Sequence, residues 1–464
     1  MFINVKSFTK ENFLNFFILF LPISLIIGNL ATNINVILIC LIGLIIYRLR
    51  IFEVNRDIVS FLLCTFFLYL ILITIINNLP NIGVINTSTE TSVEFLPTGA
   101  IKSGYINNAN IGDLYKEHIA KSFFFLRFLI LFLVLNKFIE SKKLNFKFFF
   151  IISSFLSFIV AADVFVNFTL DKNFIDQSFI KYFTQIFGDE KIEGGYIQKF
   201  SLFFTFSLIL FLPISNKKKM FFIVISFIFF ACAIIASGNR MPLILYVSSF
   251  LLFSIIDSQF RKYSILFLFL FSIMIVSLFK FFPTSNATSR INSFTGSIQE
   301  IIKMAPEVFY YGKFRNQERK TFASGHLVTF NSGVQVWKEN KIFGGGLKSF
   351  RINCKQDYKY QVCNTHPHNY LIEILVDVGL VGFILIYMAF AILIINSFKA
   401  YLNNPNSNLR FVVMPFFLIF FFEMFPLRST GSFFTTSSAS IIFLTLAVIN
   451  NYYKNNISLN QLNK

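Results

Sequence analysis

The strongest constraint on this chain is the recurrence of apolar blocks of roughly 17–25 residues, each long enough to cross the hydrocarbon core of a bilayer. About twelve such blocks can be read, at 13–31, 33–47, 58–77, 118–136, 148–168, 200–215, 221–236, 241–256, 264–282, 379–398, 411–427 and 434–450. Composition agrees. Of 464 residues 55% are hydrophobic and only 14% charged, against about 25% charged in a soluble domain. The expected fold is an all-α polytopic membrane protein: spans one to nine in 1–282, a large outer loop in 283–367, and spans ten to twelve with a tail in 368–464. The 68 Phe need no functional reading, since lipid-facing helices accept any large apolar side chain. The first block is flanked by Lys6 and Lys10, lacks a small-residue cleavage site and is followed at once by another span, so it reads as an uncleaved first helix.

Alternate connections differ in charge. One set is short and basic: "YRLRIFEVNRD", "NKFIESKKLNFK", "NKKKM", "DSQFRKYS" and "SFKAYLNNPNSNLR". The other includes 78–117, where Lys102 and Lys116 face four acids, and 169–199, where four Lys face five acids. The positive-inside rule then puts both termini in the cytoplasm, consistent with an even span count. It also accounts for much of the net charge of +18, because about 18 of the 41 Lys and Arg lie in the inner termini and short inner loops. A nucleic-acid partner is not implied. No Walker-type motif or solenoid repeat occurs, which argues against an ATP-driven pump.

The loop at 283–367 carries twelve Lys and Arg against five Asp and Glu. Loops longer than about 60 residues escape the positive-inside rule, so the topology stands and the excess charge points to an anion site, for phosphates or lipid headgroups, over a merely solvated surface. Cys40, Cys64 and Cys232 fall inside apolar blocks and read as inert hydrophobes. Cys354 and Cys363 lie close together in the outer loop; whether they form a disulfide depends on its compartment.

Charged residues in or beside membrane segments are rare and usually functional, and here the outliers share the outer side. Arg240 sits in the tight turn "SGNRMP". Arg428 lies in "FPLRSTGSFF", Arg127 within "KSFFFLRFLILFL", and Asp163 near the outer end of the fifth span. No comparable cluster is read on the inner side. The stretch "THPHNYLIEILVDVGLVG", 365–382, holds two of the four histidines. His368 to Gly379 is eleven residues, about three helical turns. His368, Gly379 and Gly382 are therefore expected on one helical stripe, with the glycines admitting a neighbouring helix and Pro367 at the helix entry. Glu373 and Asp377 are expected on a segment projecting towards the outer surface.

These residues carry a family likeness. "HNYLIEILVDVGLVG" resembles the His-Asn, nine residues, Gly-x-x-Gly pattern of the O-antigen ligase family of bacterial polysaccharide enzymes. "SGNRMPLIL" is similar to that family's outer turn with its arginine, and "VWKENKIFGGGLKSFR" to the segment before the histidine motif. The likeness is good over about 200–440 and mainly topological before that, with Arg127 and Asp163 the best matches. It implies a metal-independent glycosyltransferase with a GT-C-like helical fold in the bacterial inner membrane, working on the periplasmic face. The implied donor is an undecaprenyl diphosphate-linked glycan and the implied acceptor the lipid A core. No cofactor is implied.

Transfer from a lipid diphosphate needs a stabilised leaving group and a proton acceptor for the attacking hydroxyl. Arginine holds phosphate oxygens with a permanently charged planar fork. Arg127, Arg240 and Arg428 are the candidates, followed by Arg290, Arg315 and Arg319 in the loop. Neutral histidine suits the base. His368 is the candidate, with His366 and His326 behind it, and Asn369 either orients substrate or caps the helix. The outer loops contain no D-x-D pair, and His366 with His368 and no third ligand makes a thin zinc site. Two alternatives stay open: an O-antigen polymerase or protein O-oligosaccharyltransferase, and a lipid-sugar flippase or transporter. A transporter calls for charge along a path through the midplane.

Overall fold

The computed structural model describes residues 9–52, 57–82, 111–170, 193–257, 260–281, 325–354, 363–403, 408–426, 428–429 and 431–454, with a few isolated positions besides. Among these, all regular structure is helical. A chain in hydrocarbon must satisfy its own peptide groups, and the helix does so within each segment. In chain order the helices are α1 (Lys10–Ile27), α2 (Asn29–Tyr47), α3 (Ile58–Asn78), α4 (Ile111–Phe125), α5 (Arg127–Glu140), α6 (Phe146–Leu170), α7 (Glu193–Phe211) and α8 (Asn216–Ser237). They continue with α9 (Arg240–Ile256), α10 (Arg261–Phe281), α11 (Gly325–Glu339), the single turn α12 (Phe350–Asn353), α13 (Tyr370–Asn403), α14 (Leu409–Glu423) and α15 (Thr436–Tyr453).

Nine stretches among the described residues are long and apolar enough to cross a membrane, α4 and α5 together forming one of them. This number of apolar spans fits a polytopic membrane protein. Three further expected spans, at 241–256, 411–427 and 434–450, are helices too: α9, α14 and α15. They are shorter or less apolar than the nine.

The helices run up and down, which gives the bundle two polar ends. At one end, where α1 starts and α15 stops, Lys143 pairs with Glu11 at 2.9 Å and Lys454 with Asp57 at 2.8 Å. At the other, Thr436 donates to Asn33 at 3.0 Å and Ser437 to Asn29 at 2.7 Å. We call these the terminal end and the motif end. Between them lies an apolar core rich in phenylalanine. Phe67, Phe125, Phe128 and Phe443 form one aromatic cluster linking α3, α4, α5 and α15.

The terminal end corrects one expectation. It also holds buried charge: Asp57 pairs with Lys454, and Asp257 pairs with Arg410 at 3.3 Å while accepting from Tyr401 at 2.8 Å. The acids were missed because each sits at a helix boundary, where the sequence reads as an ordinary interfacial loop.

Helix α13 is the element that builds the site, and it is broken. Gly379 has φ +61 and ψ −167 inside an otherwise helical run. The loop 341–346 is spliced into the break. Leu380 and Val381 donate their N–H groups to the carbonyls of Lys341 and Ile342, at 2.9 and 3.1 Å. Gly345 and Gly346 donate to Val376 and Asp377, at 2.9 and 2.8 Å. The orphan groups that a helix break exposes are thus satisfied on both sides by one loop. Only glycine fits there. A Cβ on Gly379 would lie 2.4 Å from the Ile342 carbonyl oxygen, and one on Gly344 2.4 Å from the Gly379 nitrogen.

The expected stripe of His368, Gly379 and Gly382 therefore does not exist as one helical face. The helix starts at Tyr370, beyond His368, and changes direction at Gly379. The glycine pattern marks close approach of a loop backbone at Gly379, not a helix–helix contact there. Gly382 lies against Val378 of its own helix and Tyr69 of α3.

Candidate active site

The site is assembled around the first half of α13. Asn369 caps the helix: its Oδ1 accepts from the Ile372 N–H at 3.0 Å. Its Nδ2 donates to the carbonyls of Pro426 and Arg428 at 2.7 and 2.9 Å. Asn369 is buried with its side chain fully engaged. Of its two proposed roles, this geometry fits capping and the docking of the 424–435 segment, not substrate contact.

Glu373 and Asp377 do not project to the outer surface; they are 2% and 1% exposed. Asp377 accepts from the backbone N–H groups of Lys348 and Ser349 at 2.9 and 3.1 Å, and from the Ser349 hydroxyl at 3.0 Å. It shapes the loop after the glycine run. Glu373 accepts from the Ser432 hydroxyl at 2.6 Å and the Phe433 N–H at 2.7 Å. Lys348 lies 3.6 Å from Glu373 and donates to Ser432 at 3.2 Å.

A second buried carboxylate, Glu423 at the end of α14, gathers two cations. Arg428 reaches it at 2.5 Å and Lys199 of α7 at 3.2 Å. Tyr370 donates to Ser438 at 2.7 Å and lies 3.3 Å from Glu423, with the Arg428 guanidinium over its ring at 4.7 Å. Lys199, Lys348 and Arg428 thus share a buried charge cluster with Glu373 and Glu423, and Asp377 lies beside Lys348 in the same cluster.

Above this floor sit the histidines. His368 is partly exposed and has φ +56, a left-handed conformation rare outside glycine. Its ring centroid lies 4.3 Å from that of His366. His366 Nδ1 is 3.0 Å from the Thr365 hydroxyl. Burial, then the charges of Lys348 and Arg351, push the His366 pKa down to about 4, so it is neutral near pH 7. Arg351, exposed, donates from Nε to the Thr365 carbonyl at 3.4 Å.

The loop is held from two further sides. Cys354 and Cys363 form a disulfide with Cα atoms 5.6 Å apart. A small core of Val336, Phe350, Ile372 and Val376 packs α11 and α12 against α13. A Cβ on Gly333 of α11 would meet Ile372 at 2.5 Å and Pro367 at 2.9 Å, so α11 fixes the residue before His368.

The remaining expected residues are dispersed. Arg240 is the exposed first residue of α9, in the turn after Gly238, and Gly194 at the start of α7 packs on that turn. Arg127 donates to the Phe124 carbonyl at 2.6 Å, Asn33 at 2.9 Å and Thr436 at 3.2 Å, with its guanidinium over Phe128 at 4.4 Å. That fork joins α2, α5 and α15. Arg290, Arg315 and Arg319 lie outside the described residues. His326 belongs to α11, but its side chain also lies outside what is described.

Sequence reasoning missed Lys199, Lys348, Arg351, Glu423 and His118. Glu423 had a signal, an acid at the end of the apolar run "FVVMPFFLIFFFE". Lys199 was taken for part of a loop. His118 of α4 is fully buried, and neither ring nitrogen has a hydrogen-bond partner among the described residues. It lies within electrostatic reach of Arg351 and Lys348.

Residues 225–387 match a family model described as O-antigen ligase. This part of the chain is similar to the O-antigen ligase family. The matched segment holds Arg240, the glycine loop, Lys348, Arg351, both loop histidines and the broken first half of α13. Arg428, Glu423 and Lys199 lie outside it in sequence, yet pack directly beneath it. No curated protein matches the chain.

Proposed function

We propose that this protein is a membrane glycosyltransferase of the O-antigen ligase type, moving a glycan from undecaprenyl diphosphate to a lipid A-core acceptor at the periplasmic face of the inner membrane. The observation that carries the reading is the His366–His368 pair, ring centroids 4.3 Å apart, in the segment similar to O-antigen ligases and above a buried cluster of Lys199, Lys348, Arg428, Glu373 and Glu423. The disulfide in the same loop supports an oxidising compartment.

In the proposed reaction the acceptor hydroxyl oxygen attacks the anomeric carbon of the donor glycan. His368 takes the hydroxyl proton. The bond from the anomeric carbon to the diphosphate oxygen breaks, and undecaprenyl diphosphate leaves with the electron pair. Arg240 and Arg351, two exposed arginines at the motif end of the bundle, hold the departing diphosphate bidentately. Arg428 works from below: tied to Glu423, it braces the floor of the site instead of touching the phosphate. Fixed cations aimed at developing negative charge do the electrostatic work without a metal.

The test is transfer by purified protein, given one lipid-linked donor and three acceptors in parallel: lipid A core, a second lipid-linked glycan, and an acceptor protein. Glycosylation of the lipid A core alone supports the ligase reading. Glycan-on-glycan or protein products overturn the acceptor in favour of the polymerase or protein-transferase alternatives. A transporter gives no product with any acceptor.

A further inference from the structure

A second site lies at the terminal end of the bundle, far from the histidine loop. A narrow cleft, open at its mouth, runs between the ends of α9, α13 and α15 and the start of α14. Three buried polar atoms line it without a hydrogen-bond partner among the described residues: Ser397 Oγ, Arg410 Nε and Tyr452 OH. A buried polar group left unpaired is costly, and three on one cleft are not an accident of packing at a single side chain. All three donate hydrogen bonds. Their common acceptor is an anionic or strongly polar oxygen group.

The guanidinium is fixed for this purpose. Arg410 pairs with Asp257 at 3.3 Å through Nη2, and Tyr401 donates to the same Asp257 oxygen at 2.8 Å. Nε is thereby left unpaired on the lining of the cleft. The rest of the lining is apolar: Phe398, Met414 and Phe417 among others. Phe398 is 40% exposed on the bundle surface, so the mouth borders lipid. Arg261, Lys262 and Lys399, all exposed, add positive charge at the same end. Inorganic phosphate alone would leave the apolar walls unused, and water alone would leave the exposed charges at this end without a counter-charge.

We infer that this cleft binds one phospholipid of the adjacent leaflet: its phosphodiester accepts from Arg410, Tyr452 and Ser397, and an acyl chain lies along Phe398, Met414 and Phe417. The lipid joins α13, α14 and α15 at the end opposite the reaction.

Native mass spectrometry of the full chain in mild detergent, titrated with phosphatidylglycerol, tests this. Wild type is expected to hold one phospholipid. Tyr452→Phe and Ser397→Ala each remove one neutral hydrogen bond and are expected to weaken binding roughly tenfold. Both keep the Arg410–Asp257 pair, so a melting temperature in lipid-free detergent equal to wild type confirms that the fold is intact. Arg410→Gln is expected to abolish retention. Equal retention by wild type and the Tyr452 and Ser397 variants overturns the site. So does a wild-type chain that binds no lipid, which would leave water in the cleft, or one from which inorganic phosphate displaces the lipid, which would make it a free-anion site.

Discussion

His366 and His368 stand two residues apart, yet their surroundings suit them to different work. His366 is pressed into the loop beside Lys348 and Arg351 and is held at about 4; His368 is partly exposed. The depressed value has a stability consequence. Between about 4 and an ordinary 6.5 the unfolded chain takes up the proton and the folded chain does not. The contribution of His366 is therefore complete above 6.5 and is lost as pH falls towards 4. His366→Gln removes that dependence, so its melting temperature should fall less than that of wild type between pH 7 and pH 4. Parallel pH curves for the two proteins would contradict the assignment. At the diphosphate, Arg240→Lys keeps charge but loses the planar fork, so activity should drop by about 10-fold or more, the scale of one charge-assisted hydrogen bond, with membrane insertion unchanged. Full activity would make Arg240 a headgroup anchor. The histidine loop could be read from the sequence because histidine is so scarce here. Glu423 and Lys199 could not be paired that way: they come from helices far apart in sequence, and only packing shows that each partners the other.

At the scale of elements the decisive feature is the break in α13. The Gly-x-x-Gly spacing was legible, but its meaning was not, because a glycine admitting a helix and one admitting a loop backbone look alike in sequence. The difference is φ +61 at Gly379 and the carbonyl of Ile342 against it. Gly379→Ala adds both strain and a backbone clash, each of order 1–3 kcal/mol. It should lower the melting temperature clearly and abolish activity, since the loop bearing Lys348 and Arg351 is hung from that break. Gly195→Ala is the matching control. Gly195 sits in a helical stretch with nothing within 4 Å of a Cβ, so alanine there should be neutral or stabilise by up to about 1 kcal/mol. Equal melting temperatures for the two variants would remove Gly379 from the account.

At the scale of the molecule, the helical membrane class follows from length and apolarity alone. The sidedness of charge was read less well. Asp57, Asp257, Arg410 and Lys454 were hidden at helix boundaries, and their pairing at the terminal end needed the tertiary structure. Orientation remains a consequence of where the basic loops fall. We predict that a cysteine at Lys338, at the end of α11, is labelled by an impermeant thiol reagent from the periplasm. Labelling only after the inner membrane is opened would reverse the topology, and with it the compartment of the disulfide. The central claim is that His368 takes the acceptor proton beside an arginine-held diphosphate. Its most direct test is transfer from undecaprenyl diphosphate-linked glycan to lipid A core by His368→Ala, with donor binding measured on the same preparation and EDTA added in parallel. The account predicts a loss of at least about 100-fold in transfer, the lower range of general-base catalysis, with donor binding retained and no effect of EDTA. Undiminished transfer by His368→Ala, or wild-type transfer abolished by EDTA, would contradict it.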